Sequence, residues 1–349
     1  MELGQFDFSK KVFYHPQNVA LLQSGGRPFP VTVEIDLTNA CNHRCSFCFY
    51  AEHLAADRSS LPTDLLKERL TEMKALGTKA VSFTGGGEPM LHRDFVSIIQ
   101  HARSIGLDIG LITNGSAITP RNVEDLVRNL TWIRVSMAGG DAPSYSKVQG
   151  VDHFQRVVNN LALLSETRER LGLPLNIGVR MLCTPENIAT VRGLATVSAN
   201  ARVDYLQLAP DQFTTDDGAF WNSPETRAEF DVCKEILARG STKLLTSGYV
   251  WYQHLIDVAQ SCHAHYFMIA IQAEGDVCYC KNARGAEKFS IGNINKNTLK
   301  EIWDGQKTKE IESWCRPNNC GLYCKHIQMN IAIESVLRPS LDASANFVG

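Results

Sequence analysis

Three cysteines at C-x3-C-x2-C spacing, Cys41, Cys45 and Cys48, fall in one short loop directly after a strand-like run. Three thiolates so close in the chain suit an iron–sulfur cube. A 4Fe-4S cluster has four iron corners and usually takes four cysteines, so a loop of three leaves one iron open to another ligand. Structural zinc is the alternative, but closed zinc sites usually gather C-x2-4-C pairs from two separate halves. A second candidate is Thr84-Gly85-Gly86-Gly87-Glu88-Pro89, again behind a strand-like run. Glycines let backbone approach a ligand closely, although a glycine run alone is most often a turn. The third candidate is a C-terminal gathering of Cys262, Cys278, Cys280, Cys315, Cys320 and Cys324.

The elements that must position these residues are legible as alternation. Val31 to Thr38 places Val31, Val33, Ile35 and Leu37 on one face and Thr32, Glu34, Asp36 and Thr38 on the other, the period of a strand. Pro62 to Leu76 has helical spacing, with Leu65, Leu66, Leu70 and Met73 on one side and Gly77 as its stop. Further strands are expected over 80–84, 108–114, 132–137, 176–182 and 204–208, with helices starting near His92, Pro120, His153 and Pro185. Six strands alternating with helices imply parallel βαβ units. If the apolar faces pack on the helices, the opposite faces carry Glu34, Asp36, Ser82, Thr84, Arg134, Ser136, Asn176, Arg180, Tyr205 and Gln207. Buried polar groups must find partners, so a polar barrel interior points either to mutual pairing or to a wet, ligand-filled cavity.

The cysteine loop, with the aromatic Phe47 before its third cysteine, and the Gly85–Pro89 segment together resemble the two signature motifs of the radical S-adenosylmethionine (radical SAM) enzymes. The resemblance implies an α/β fold, a partial (β/α)6 TIM-like barrel, and a 4Fe-4S cluster on Cys41, Cys45 and Cys48 whose open iron binds SAM. It places Gly86, Gly87 and Glu88 at the SAM amino group and Phe47 against adenine. Ile112-Thr113-Asn114-Gly115 is similar to the family's third-strand end near the ribose. Arg134-Val135-Ser136-Met137 is similar to its fourth strand, and Ser136 with Arg180 matches positions that commonly contact the SAM carboxylate.

Beyond the barrel, Cys262 and Cys280 enclose Phe267 to Gln272 and a turn at Glu274-Gly275-Asp276, a hairpin pattern. The C-x12-G-x4-C spacing, with Cys320-x3-Cys324 behind it, resembles the SPASM/twitch extension of radical SAM enzymes, a small C-terminal α+β cysteine-rich domain. A full SPASM pattern holds more cysteines than this chain offers, so the resemblance implies one auxiliary 4Fe-4S cluster on Cys262, Cys280, Cys320 and Cys324. Cys278 and Cys315 are alternates, and a closed zinc site on the same four remains open. The expected organisation is a lead-in over 1–30, the barrel over 31–210, a bridging helical segment over 211–260 and the auxiliary domain over 261–349.

Composition narrows the function. With 35 basic and 37 acidic residues there is no polyelectrolyte signature for nucleic acid or a membrane surface. No signal peptide or membrane-length apolar run is evident, so a cytoplasmic protein is expected. Eleven cysteines in that compartment argue for metal binding or catalysis over disulfides; Cys233, inside a helical pattern, reads as a small buried apolar residue. Balanced charge and a polar interior lead to the expectation of a small-molecule substrate, a sugar, aminocyclitol or nucleoside, held by Glu34, Asp36, Arg180 and Gln207. The family's 5'-deoxyadenosyl radical would abstract its hydrogen, with a flavodoxin- or ferredoxin-type reductant. Oxidation through the auxiliary cluster, epimerisation with Cys278, Cys315 or Cys183 as hydrogen donor, rearrangement and elimination are all open outcomes. Maturation of a ribosomal peptide is the alternative within the family, and a non-catalytic zinc module is the alternative outside it.

Overall fold

The computed structural model describes residues 8–210, 219–246, 255–320 and 324–338. Among these, ten strands form one continuous sheet. They are β1 (Thr32–Ile35), β2 (Ala80–Phe83), β3 (Asp108–Thr113), β4 (Trp132–Ser136), β5 (Asn176–Cys183), β6 (Tyr205–Pro210), β7 (Lys243–Thr246), β8 (Met268–Ile271), β9 (Asp276–Cys278) and β10 (Ser290–Asn293). Their order is β10-β9-β8-β1-β2-β3-β4-β5-β6-β7. From β8 through β1 to β7 every pairing is parallel, and β9 and β10 then add antiparallel.

The six expected strands all form, and the connecting helices pack behind them. Alternate residues Val33, Ile35, Val81, Phe83, Ile109, Leu111, Ile133, Val135, Ile177, Val179, Leu206 and Leu208 are buried in one core. Leu66, Leu70 and Met73 from the helix Thr63–Leu76 join that core, as do Ile98 and Ile99 from Phe95–Ser104 and Leu161 and Leu164 from Phe154–Leu171. Each such side chain contributes about 1.5–3 kcal/mol on leaving water, so the alternation itself fixes which face turns inward.

Two parallel strands extend the sheet past the six read from sequence. β7 arises within the stretch read as a helical bridge and pairs with β6. β8, the expected first arm of a hairpin, does pair antiparallel with β9, but its other edge runs parallel to β1, Thr32 opposite Met268 and Ile35 opposite Ile271. The C-terminal segment therefore builds one wall of the barrel.

Inner-face residues line up in rows across this sheet. In the lower rows aromatic rings fill the space that side chains would take. A Cβ on Gly110 would sit 2.2 Å from the Trp132 ring, and one on Gly178 would sit 2.0 Å from the Tyr205 ring. Above them a polar row runs Ser136, Arg180, Gln207. The interior thus has an aromatic floor beneath a polar chamber at the strand C-termini, the end where such folds place chemistry.

Loops at that end approach helices closely. The Gly140 N–H donates to Thr190 Oγ1 at 3.1 Å, and a Cβ on Gly140 would lie 1.8 Å from the Thr190 carbonyl oxygen. Gly140→Ala is expected to lower stability by ~1–3 kcal/mol through overpacking, read as a lower midpoint in urea unfolding. Gly240→Ala, where nothing lies within 4 Å, should leave the midpoint unchanged.

Candidate active site

The chain leaving β1 turns directly into the cysteine loop, and the glycine run braces it. Gly87 N–H donates to the Thr38 carbonyl at 2.8 Å and Glu88 N–H to the Ala40 carbonyl at 2.8 Å. Gly85 and Gly86 hold φ of 56° and 55°, a region that disfavours residues with a Cβ. A Cβ on Gly87 would stand 2.1 Å from the Ala40 carbonyl oxygen. The glycines are required because two backbones pass in contact here.

Glu88, fully enclosed, ties the next strand to this brace. Its Oε1 accepts from Thr113 Oγ1 at 2.6 Å and its Oε2 from the Asn114 N–H at 2.7 Å. Burial raises its pKa while those donors and the Met90 N–H work against the shift. Asn114 Nδ2 donates to Asn42 Oδ1 at 2.9 Å, and Asn42 Nδ2 donates to Ser116 Oγ at 2.9 Å. Cysteine loop, glycine run and β3 end are thereby one hydrogen-bonded unit.

Cys41, Cys45 and Cys48 are each half-buried. Burial, with a smaller push from the neighbouring Cys41 and Cys48, raises the Cys45 thiol to about 12. The His43 N–H donates to Cys41 Sγ at 3.5 Å. Three half-buried thiols on one loop fit a shared iron–sulfur cluster, and the glycine run beside them presents backbone rather than side chains. Half-buried Phe47 lies in the same loop, and Arg180 and Ser136 face each other across β4 and β5. The loop also docks on the helix Ala142–Gln149: Arg44 and Ser46 N–H groups donate to the Gln149 and Val148 carbonyls.

Asn39, two residues before Cys41, is a position that sequence reading missed. Its side-chain nitrogen contacts Asp57, Glu274 Oε1 at 2.6 Å and His53 Nε2 at 3.3 Å. Glu274 lies in the β8–β9 turn, so this clamp joins the first cysteine loop to the C-terminal segment.

The expected substrate-holding acids are engaged otherwise. Lys281 Nζ lies 2.9 Å from Glu34 Oε1, Arg284 Nη2 2.8 Å from Glu34 Oε2, and Arg284 Nε 3.0 Å from Asp36 Oδ2. Burial would raise Glu34, but Lys281 and Arg284 hold it well below the usual carboxylate range. Asp36 is pushed up to about 7, mainly by burial, with Arg284 pulling against it and Glu34 and Glu274 adding to the rise. Gln207 accepts from Arg134 Nη1 at 3.3 Å. Lys281 and Arg284 carried no signal in the sequence, because nothing local links the loop after β9 to β1.

The C-terminal cysteines converge. Cys262, Cys280, Cys315, Cys320 and Cys324 line one pocket together with His265, Tyr279 and Asn330. A donor set of sulfurs in one partly enclosed pocket fits an iron–sulfur cluster, and Cys315 stands with the four expected ligands. Cys278 is not among the lining residues; it is buried, with its thiol directed to the Ala283 carbonyl at 3.6 Å. Cys183 is buried with its thiol 3.9 Å from the Met181 carbonyl, and Cys233 is fully buried in the core, as expected.

Comparison with known proteins bears on these sites directly. Residues 35–195 match the radical SAM superfamily, and residues 262–326 match SPASM, an iron-sulfur cluster-binding domain. A protein of Xanthomonas campestris pv. campestris named PqqA peptide cyclase is 26% identical over 288 residues, covering 79% of this chain and 74% of its own. Among solved structures, Streptococcus suis SuiB bound to S-adenosylmethionine superposes with a TM-score of 0.68 at 19% identity, covering 95% of this chain and 79% of that one. SuiB bound to its precursor peptide SuiA gives 0.66 at 19% identity, covering 95% and 77%. The fold is therefore the partial barrel with a C-terminal cluster domain, and the cofactors are a SAM-bound 4Fe-4S cluster with auxiliary iron–sulfur. Among the described residues no helix is long and apolar enough to cross a membrane.

The expectation of a sugar, aminocyclitol or nucleoside, and of a small-molecule partner, is corrected by these findings. The relative is named for a peptide, and a protein of like fold is bound to one. Two physical reasons explain the miss. Much of the polar inner face pairs internally, Glu34 and Asp36 with Lys281 and Arg284 and Gln207 with Arg134, so it is not a measure of substrate polarity. Balanced surface charge, moreover, does not separate a metabolite from a peptide.

Asp36 gives a pH test. The unfolded carboxyl loses its proton near 3.8 and the folded one near 7, so the unfolded chain binds fewer protons between these values and stability falls as pH rises across the window. Glu34, with its lowered pKa, acts in the opposite sense at lower pH. Asp36→Asn is expected to remove the decline between about pH 4 and pH 7, measured by urea unfolding at closely spaced pH values; an unchanged profile would exclude Asp36 as its source.

Proposed function

The chain belongs to the radical SAM superfamily and carries a SPASM iron–sulfur domain behind that core, and from that premise we propose that it is a maturase that forms a covalent link within a peptide. The observation that carries the reading is the similarity to PqqA peptide cyclase over most of both chains. A fold shared with a peptide-bound enzyme agrees with it.

Cys41, Cys45 and Cys48 would hold the first cluster, and Cys262, Cys280, Cys320 and Cys324 the auxiliary one, with Cys315 a fifth sulfur in the same pocket. SAM at such a cluster supplies a 5'-deoxyadenosyl radical, able to take hydrogen from an unactivated carbon. The chain's own residues supply position. Gly86 and Gly87 bring backbone, without side chains, to the edge of the cysteine loop, while Glu88 fixes the β3 end carrying Thr113 and Asn114. Ser136, Arg180 and Gln207 face the chamber as one polar row, suited to a carboxylate and to main-chain amides. The Trp132 and Tyr205 rings fill the space beside Gly110 and Gly178 beneath that row.

Bond formation is favoured over epimerisation by the thiols. Returning a hydrogen atom to a substrate carbon needs an S–H facing the chamber. Cys278 and Cys183 direct theirs to backbone carbonyls, and Cys315 lines the cluster pocket.

The test is reconstituted, reduced protein incubated with SAM and short peptides encoded beside its gene, followed by mass spectrometry. The expected result is one 5'-deoxyadenosine for each peptide that has lost two hydrogens, one carried off in the 5'-deoxyadenosine and the other released as a proton with its electron passing to the auxiliary iron–sulfur site, and that resists sequencing across the linked residues. Turnover of SAM with a sugar or nucleoside, and none with any such peptide, would overturn the proposal.

A further inference from the structure

Two imidazoles, His265 and His326, line the C-terminal cysteine pocket, and His265 is the one enclosed to 2% exposure. It sits three residues past Cys262, on the turn that leads into β8. Its ring is held on three sides. It stacks on Tyr279 at 4.1 Å between centroids, and Tyr266 packs against it at 3.8 Å. Its Nε2 lies 3.0 Å from the Tyr279 hydroxyl and 3.4 Å from Glu312 Oε1. Glu312 is itself fixed by a forked contact from Arg27, Nη2 to Oε1 at 2.7 Å and Nε to Oε2 at 3.0 Å. That arrangement leaves little freedom for the ring to turn.

The opposite nitrogen is the informative one. Among the described residues, His265 Nδ1 is buried and has no hydrogen-bond partner. A buried polar atom left unpaired costs about 1–3 kcal/mol, and such atoms in native proteins call for an explanation, an absent ion or ligand being a common one. Here the ring lines a pocket of five sulfurs. With five cysteines available for four iron corners, nitrogen is not needed as a ligand. An N–H aimed at sulfur is the remaining role.

We propose that His265 donates a hydrogen bond from Nδ1 to a sulfur of the auxiliary cluster, with the Tyr279 hydroxyl donating to Nε2 and thereby keeping the ring proton on Nδ1, and so sets the cluster's reduction potential. The inference rests on a cluster filling this pocket. Hydrogen bonds to cluster sulfurs are among the main determinants of such potentials, because each stabilises the more negative, reduced state. Outer partners that fix a histidine's orientation matter nearly as much as the contact itself. His265 is thus a tuning residue for the second redox centre, and Tyr279 is a positioning residue acting through it.

The experiment is an EPR-monitored redox titration of the full holoenzyme, in which the first cluster's signal is identified by its response to SAM. His265→Phe keeps the ring volume and the stack on Tyr279 but removes the donor. It is expected to move the auxiliary midpoint to a more negative potential and leave the SAM-responsive cluster in place, with His265→Gln restoring part of the shift. A second readout needs no variant. Pulsed EPR of the wild-type reduced auxiliary cluster should show a weakly coupled histidine nitrogen and a nearby proton that exchanges in deuterated water. An unmoved midpoint with no exchangeable proton would overturn the role of His265, and a strongly coupled nitrogen bound directly to iron would overturn it as well. Iron and sulfide sufficient for a single cube, with the C-terminal pocket empty, would overturn the cluster assignment on which the proposal stands.

Discussion

Two carboxylates on the inner face of β1 set the terms for the rest of the molecule. Glu34 and Asp36 face a chamber where unpaired charge is not tolerated, and their cations come from Lys281 and Arg284, far along the chain. Removing one partner from a buried pair of this kind costs about 3–5 kcal/mol, because the other charge is left without solvent or counterion. The C-terminal segment is therefore bound to the barrel by charge as well as by the parallel pairing of β8 with β1. The two cysteine sites share one wall because of it.

What was legible in the sequence is what local pattern encodes. The strand at Val31–Thr38 announced its two faces by alternation, and the cysteine loop and glycine run stood where strand ends had to be. The six strands, the helix over 63–76 and the hairpin around Gly275 all follow from short-range spacing and turn chemistry. β8 was read as a strand too, but an apolar run such as Met268–Ile271 has the same period whether its neighbour is β9, β1 or both. Parallel pairing across so long an interval leaves no trace in periodicity. Arg284, Lys281, Asn39 and His265 were missed for the same reason: each acts on residues that adjoin it only after folding. The substrate class was missed because a polar inner face had two explanations, and internal pairing accounts for much of it.

The candidate site is built more from backbone than from side chains. Gly85, Gly86 and Gly87 bring the loop after β2 into contact with the chain at Thr38–Ala40, and Glu88 fastens β3 to the same place with both carboxylate oxygens. Such a frame resists small displacements, as packed interiors do. It suits a centre whose reactive species must meet one chosen hydrogen and no other.

The pairing of β1 with β8, reinforced by Asn39 on Glu274 and by Arg284 on Glu34 and Asp36, also governs how the protein comes into being. During synthesis β1 emerges first and waits, one edge bare, until more than two hundred intervening residues have left the ribosome. The clamp of Asn39 on Glu274 cannot close before then. The last brace beside the first cysteine loop is therefore set only when the C-terminal wall is complete, although the loop itself is among the earliest parts of the chain to be made.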